Sequence, residues 1–131
     1  MINWGILGLG RMGMAFANAI EETDNSKLIG IASKSGKKFQ NFENLSYEDL
    51  IKRKDIDAIY IASLNNTHTE LIQKISMEGK KILCEKPVSL SLESLFEVEK
   101  LLNKQNIKLY EAIAYYSHPQ TAEIINILKK N

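Results

Sequence analysis

The segment that most constrains how this chain can fold is a glycine-rich turn near the N-terminus, Gly8-Leu9-Gly10-Arg11-Met12-Gly13. The apolar run Met1–Leu7 precedes this turn, and apolar residues at helical spacing follow it, at Met14, Ala17 and Ile20. The first glycine of such a segment permits a sharp bend, and the last lets a helix pack closely against the preceding strand. This part of the sequence therefore predicts a strand, a turn and a helix.

Strands and helices alternate along the remainder of the chain. Strands are predicted at residues 27–32, 58–62, 81–84 and 107–113, and helices from Ser46, from Thr67, and over residues 92–102 and 121–130. The strand segments are continuously apolar, as in a parallel sheet that helices cover on both faces. We therefore predict a single α/β domain over residues 1–131, a Rossmann-type doubly wound parallel sheet in which residues 119–131 form a terminal helix.

Composition argues against several classes of protein and site. A chain of 131 residues builds one core, and its net charge of +1 draws it to neither nucleic acid nor an anionic membrane. Cys84 is the single cysteine, so neither an internal disulfide nor a metal site is predicted, and a reducing, cytoplasmic location is expected. No apolar run approaches the roughly 18 residues that a membrane helix needs.

The glycine-rich turn matches the G-x-G-x-x-G pattern of dinucleotide-binding domains and has the correct setting, between a strand and a helix. The second glycine lets the backbone approach a pyrophosphate, and free N–H groups at the helix start would face that anion. The alternative is a turn that binds no ligand. We predict that a dinucleotide is bound here, with contacts from Gly8, Gly10, Arg11, Met12 and Gly13.

The end of the second predicted strand bears on which dinucleotide is bound. An NAD site usually has an Asp or Glu about 20 residues beyond the glycine pattern, where this chain has Ser33 and Lys34. No carboxylate lies between residues 24 and 43, and Lys37 and Lys38 add positive charge. A 2′-phosphate would find partners there, so NADP(H) is favoured over NAD(H). The alternative is a solvated basic loop without a ligand.

Several separated motifs together resemble one known family. They are the turn Gly8–Gly13, the strand segment Asp55–Ala62, Cys84-Glu85-Lys86-Pro87, and Tyr115-Tyr116-Ser117-His118-Pro119. In this order and at these positions they resemble the N-terminal domain of the glucose–fructose oxidoreductase/inositol dehydrogenase (Gfo/Idh/MocA) family. The resemblance runs over nearly the entire chain, which makes it more specific than the glycine pattern alone.

The resemblance implies a nicotinamide-dependent oxidoreductase that acts on sugars, polyols or related hydroxy and keto compounds. In similar proteins the lysine of the Glu-Lys-Pro motif, here Lys86, lies between nicotinamide and substrate, where its ammonium can stabilise alkoxide character during hydride transfer. Glu85 would orient Lys86, and the bond preceding Pro87 is expected to be cis. On spacing alone, a surface turn leaving a strand is the favoured interpretation of this motif, and the resemblance reverses that preference. Cys84 is interpreted as a buried strand residue and not as a nucleophile.

The loop after the strand at residues 58–62 is a second candidate part of the site. Similar enzymes bring this loop against the cofactor, and ligands of open α/β sheets bind beyond the carboxyl ends of the strands. Ser63, Leu64, Asn65 and His68 are therefore candidate cofactor contacts, although Leu64 stands where the family commonly has proline. His68 lies within a predicted capping box, Thr67–Glu70, so it is either a cofactor contact or a helix residue of the first turn.

The sequence also departs from the family pattern. Family members carry a second domain that supplies most substrate contacts. We expect no second domain within residues 1–131, so the isolated chain should show little turnover. Residues 33–46 are too few for the usual helix and third strand, which predicts a reduced sheet edge. The apolar terminal helix suggests a homo-oligomer or a separate substrate-domain partner. A non-catalytic nucleotide-binding module and a structural, self-associating module remain alternatives.

Overall fold

The computed structural model describes residues 1–130 as an alternation of strands and helices. The strands are β1 (Ile2–Leu7), β2 (Ser26–Ala32), β3 (Asn44–Leu45), β4 (Ala58–Ile61), β5 (Lys81–Cys84) and β6 (Leu109–Glu111). The helices are α1 (Arg11–Glu21), α2 (Tyr47–Lys52), α3 (His68–Met77), α4 (Leu92–Gln105) and α5 (Pro119–Lys129), and short 3₁₀ turns cover Asn65–Thr67 and Ala114–Ser117. The predicted terminal helix 119–131 is observed over Pro119–Lys129, and Asn131 lies outside the described residues.

Within residues 1–130 the strands form one six-stranded sheet in the order β3-β2-β1-β4-β5-β6, and every neighbouring pair is parallel. This is the order of dinucleotide-binding folds, in which the chain reverses direction across the sheet at β1. The predicted doubly wound sheet is confirmed. The connections that follow β1 and β4 lead to helices on opposite faces of the sheet, and ligands of such sheets bind at this point.

Two apolar cores, one on each face of the sheet, explain why the strands are continuously apolar. Along β4, Ile59 and Ile61 face the core beneath α2, α3 and α4, whereas Tyr60 between them faces the core beneath α1. These three side chains are at most 2% exposed. Full burial of a large apolar side chain contributes about 1.5–3 kcal/mol, so both faces of each central strand stabilise the fold.

The sheet edge at β3 is reduced, as the sequence predicts. β3 has two residues, and no helix separates it from β2 within the described part of the chain. The Asn44 side chain extends the pairing, because its Oδ1 accepts from the Ser33 backbone N–H at 2.6 Å and its Nδ2 donates to the Ser33 carbonyl at 2.9 Å. Phe39 anchors the intervening loop in the core beneath α1. The edge strand next to Ser33 is thus short, and the Asn44 side chain continues its hydrogen bonding.

The predicted capping box at Thr67 is wrong. Thr67 ends a 3₁₀ turn, and its hydroxyl donates to the Leu64 carbonyl at 2.7 Å and does not cap α3. Glu70 pairs with Lys74 at the exposed surface. The helix predicted from Ser46 is confirmed, since the Ser46 hydroxyl accepts from the Asp49 N–H at 3.0 Å.

α5 lies at the surface and buries none of its residues. Four apolar side chains are exposed along it: Ile124, Ile125, Ile127 and Leu128. Across residues 1–130, no helix combines the length and the apolarity needed to cross a membrane.

Candidate functional site

The glycine-rich turn between β1 and α1 requires glycine at two positions and leaves open space at a third. Gly8 has φ +98°, and a Cβ there would lie 2.5 Å from the Ala62 carbonyl oxygen. A Cβ on Gly13 would lie 2.0 Å from the Gly8 carbonyl oxygen. A Cβ on Gly10 would meet no atom within 4 Å. The turn is thus tightly packed at Gly8 and Gly13, whereas the backbone at Gly10 is open to the outside. An open backbone of this kind lets a ligand approach closely.

The start of α1 is suited to an anion. Gly10 is its N-cap and provides no capping side chain, and no acidic residue lies in the first turn. In any α-helix the first N–H groups have no carbonyl partner within the helix, here those of Arg11, Met12 and Gly13. These donors and the positive end of the helix dipole would attract a phosphate group.

Two cavities flank this turn and share two lining residues, Ala62 and Ser63. One, of about 510 Å³, has among its lining residues Gly8, Gly10, Ser33, Lys34, Ser63 and Leu64. The other, of about 760 Å³, has among its lining residues Arg11, Met12, Ser63, Asn65, Glu85 and Lys86. Ala62 and Ser63 border both cavities, so the two form one crevice along the carboxyl edge of the sheet. We call them the Ser33 cavity and the Lys86 cavity.

The crevice therefore brings together nearly all the candidate residues. Gly13 and His68 are buried and line neither cavity. For Gly13 this position agrees with its role in close packing between helix and strand.

The Ser33 cavity is lined by hydroxyl and basic groups, and none of the described residues lining it is acidic. The hydroxyls of Ser33 and Ser35 lie 2.9 Å apart. The Lys34 ammonium lies 5.4 Å from the centre of the Tyr47 ring, a cation–π contact. Lys37 also lines the cavity, whereas Lys38 does not. Sequence reasoning missed Tyr47 and Ser35. Tyr47 reaches the cavity because α2 begins beside it, which the local sequence does not indicate, and Ser35 belongs to no motif.

The Glu-Lys-Pro motif follows β5 at the floor of the Lys86 cavity. The Lys86–Pro87 bond is cis, as expected, and the Lys86 side chain is exposed. The expectation that Glu85 orients Lys86 stays a prediction. The Glu85 carboxylate accepts a hydrogen bond from the Tyr60 hydroxyl at 2.5 Å, because Tyr60 reaches it from the adjacent strand. Burial, together with this hydrogen bond, raises the pKa of Tyr60 well above its usual range.

His68 adopts the second of its two predicted roles. It is the first residue of α3, and its side chain is 0% exposed, so it offers a cofactor no surface. Its Nδ1 lies 2.8 Å from the Pro87 carbonyl oxygen and its Nε2 lies 3.3 Å from the Ser63 carbonyl oxygen. A carbonyl oxygen only accepts and a neutral imidazole carries one N–H, so the shorter contact assigns that donor to Nδ1, which bonds the Pro87 carbonyl. His68 thus links the loop after β4 to the loop after β5.

Cys84 is 0% exposed at the end of β5. Burial, with smaller contributions from the carboxylates of Glu111 and Glu85, raises the pKa of its thiol to about 12. A buried thiol with a raised pKa is a poor nucleophile. Its interpretation as a strand residue agrees with the structure.

Comparison with known proteins identifies the family. The Gfo/Idh/MocA family, described as an oxidoreductase family with an NAD-binding Rossmann fold, matches residues 2–114. This chain belongs to that family. The resemblance inferred from the motifs is confirmed, and residues 2–114 match the NAD-binding Rossmann domain of this oxidoreductase family.

Individual Gfo/Idh/MocA proteins are similar to the chain over most of its length. Trans-1,2-dihydrobenzene-1,2-diol dehydrogenase of Xenopus laevis is 28% identical over 97% of this chain and 42% of its own length. Inositol 2-dehydrogenase of Rhizobium meliloti is 28% identical over 82% of this chain and 34% of its own. The structure of scyllo-inositol dehydrogenase from Lactobacillus casei with bound NAD(H) and scyllo-inositol superposes with a TM-score of 0.88 at 24% identity, covering 99% of this chain and 41% of that one. The chain thus spans about two-fifths of the length of the longest-matching relatives.

Proposed function

We propose that this chain binds a nicotinamide dinucleotide along the crevice and serves as the cofactor domain of an oxidoreductase acting on sugars, polyols or related hydroxy and keto compounds. One observation carries the proposal. The Ser33 cavity, which Gly10 lines, and the Lys86 cavity, which Arg11 and Met12 line, share Ala62 and Ser63, so an extended ligand can reach both while its centre lies beside the start of α1.

The residues present fit such a ligand in three parts. The backbone N–H groups of Arg11 and Met12 would hold the pyrophosphate. The Ser33 cavity would take the adenosine side, and the Lys86 cavity would take the nicotinamide. When bound, the nicotinamide supplies the hydride donor or acceptor.

Lys86 is the residue that we propose to be catalytic. Its exposed ammonium lines the cavity that Arg11 also lines, where it can donate a hydrogen bond to a substrate oxygen. A cation at that position stabilises negative charge developing on the oxygen of an alcohol or ketone. The two curated relatives are, by name, dehydrogenases of a cyclic diol and of an inositol, which supports a polyhydroxylated substrate.

We propose NADP(H) as the preferred cofactor over NAD(H). The hydroxyls of Ser33 and Ser35 and the cations of Lys34 and Lys37 line the cavity expected to hold the adenosine ribose. This set offers donors to a 2′-phosphate, and it lacks the carboxylate that usually accepts from an unmodified ribose. The NAD(H) found in the Lactobacillus casei protein makes NAD(H) the alternative.

We also propose that turnover needs more protein than residues 1–131. Lys86 is exposed, and so are Tyr115 and Tyr116 beyond it, so this domain alone does not close off the nicotinamide end from water. The exposed apolar side chains of α5 form a surface suited to self-association or to docking of a substrate domain. A chain that stays a monodisperse monomer at high concentration and binds no substrate domain would contradict this part of the proposal.

The proposal is tested by cofactor binding with a matched variant. Gly10→Val places a side chain in the open space where the pyrophosphate would lie, and it requires no positive φ. We expect NADPH at millimolar concentration to raise the melting temperature of the wild-type chain and not that of Gly10→Val. No protection of the wild type by NADPH or NADH would overturn the proposal, and binding without turnover even with a substrate domain would favour a non-catalytic module.

A further inference from the structure

The loop that carries Lys86 is held at one peptide group from two sides. His68 Nδ1 donates to the Pro87 carbonyl oxygen at 2.8 Å, and the Val88 N–H donates to Glu111 Oε1 at 2.9 Å. That carbonyl and that N–H are the two polar ends of the same peptide group, which begins one residue after Lys86. One partner comes from the start of α3 and the other from the end of β6.

We propose that Glu111 and His68 are positioning residues that fix Lys86 by holding both ends of this peptide group. We call the arrangement the peptide clamp. The inference deepens the proposed function and rests on it, because a fixed Lys86 matters only if the nicotinamide end of a ligand lies beside it.

The two halves of the peptide clamp differ in how firmly they are built. His68 is fully buried and also contacts the Ser63 carbonyl, so one imidazole joins the Lys86 loop to the loop that borders both cavities. Glu111 is exposed, but it is placed by the sheet, because it pairs in register with Cys84 and the next residue, Ala112, donates to the Cys84 carbonyl at 2.8 Å. Val88, its partner, is only 5% exposed. A charged acceptor on a buried N–H makes a stronger bond than a neutral one.

Because Glu111 is exposed, replacing it should leave the core and His68 intact. Glu111→Ala removes the acceptor, Glu111→Gln keeps a carbonyl oxygen at the same reach, and Glu97→Ala removes the same charge from the exposed surface of α4. Each variant is titrated with NADPH and with 2′-phospho-ADP-ribose, which lacks the nicotinamide. Exchange of the Val88 amide and the chemical shift of the Lys86 amide are followed by NMR in the free chain.

We expect Glu111→Ala to weaken NADPH binding roughly three- to tenfold, the range for loss of one hydrogen bond, and to leave 2′-phospho-ADP-ribose unaffected. Val88 exchange should quicken about tenfold in Glu111→Ala and the Lys86 signal should move. Glu111→Gln should lie between Glu111→Ala and the wild type, because its acceptor is neutral, and Glu97→Ala should resemble the wild type. Equal weakening of both ligands, or unchanged Val88 and Lys86 signals in Glu111→Ala, would overturn the peptide clamp. If the wild type binds neither ligand, the proposed function fails, and the two NMR signals still decide whether the clamp holds Lys86.

Discussion

The hydroxyl of Tyr60 donates to the carboxylate of Glu85 at 2.5 Å, across two neighbouring strands and 25 positions of sequence. Tyr60 is 2% exposed, and its ring packs on Phe16 of α1 with centroids 4.3 Å apart. Glu85 is therefore hydrogen-bonded to a tyrosine of the core beneath the crevice. The next residue, Lys86, lines the Lys86 cavity.

Tyr60→Phe tests whether this bond stabilises the motif. The variant keeps the ring packing and removes the donor, so the free energy of unfolding in urea should fall by about 0.5–1.5 kcal/mol. Tyr110→Phe, at an exposed tyrosine of β6, is the control and should change little. Equal stabilities of Tyr60→Phe and the wild type would show that the hydrogen bond contributes nothing.

Replacement by alanine should destabilise the chain much more at Gly8 than at Gly10. Gly8 has φ +98°, and Gly8→Ala places a Cβ 2.5 Å from the Ala62 carbonyl oxygen. We expect the free energy of unfolding to fall by about 1–3 kcal/mol or more. Gly10→Ala meets open space and should cost less than about 1 kcal/mol. Urea denaturation of both variants measures the difference, and similar losses at the two positions would contradict the described turn.

Ser33→Asp should change which cofactor is preferred. An added carboxylate would repel a 2′-phosphate and accept from an unmodified ribose, so the ratio of NADPH to NADH affinity should fall by at least about tenfold. Lys38→Gln makes the same change in net charge just outside the Ser33 cavity and should leave the ratio near that of the wild type. Fluorescence titration gives both dissociation constants. An unchanged ratio of affinities in Ser33→Asp would contradict the proposal that the adenosine ribose binds in the Ser33 cavity.

Stability should fall at alkaline pH through Cys84. The pKa of its thiol is about 12 in the folded chain against an ordinary value of 9.0, mainly because of burial. As pH rises, the unfolded chain therefore loses the thiol proton before the folded chain does. The contribution of Cys84 to the free energy of unfolding is fully present below about pH 9. It is lost as pH rises toward about 12, by up to ~1.4 kcal/mol per pH unit. Urea melts between pH 8 and about 11 should show a steeper decline for the wild type than for Cys84→Ala. Parallel curves for the two chains would argue against a buried, protonated thiol.

Local signals in the sequence predicted the fold well. Continuous apolar runs located the strands, because both faces of the sheet are covered, and the glycine spacing located the turn that Gly8 and Gly13 require. Predictions that depend on one side chain choosing among nearby partners were weaker. The Thr67 hydroxyl bonds to the Leu64 carbonyl within a 3₁₀ turn, so the spacing of a capping box at residues 67–70 was misleading.

Interactions between distant loops could not be predicted in the same way. The contacts of His68 with the Pro87 and Ser63 carbonyls depend on where two loops meet, as does the bond of Glu111 to the Val88 N–H. No local pattern marks the backbone groups that a buried side chain will reach. The sequence therefore predicted which residues surround the crevice and missed what holds them in place.

A crystal structure of the chain with NADP⁺ tests the central claim most directly. We predict that the pyrophosphate lies within hydrogen-bonding distance of the Arg11 and Met12 N–H groups, with the 2′-phosphate beside Ser33 and the nicotinamide in the Lys86 cavity. A dinucleotide bound away from the turn, or a nicotinamide out of reach of the Lys86 ammonium, would contradict the proposed function.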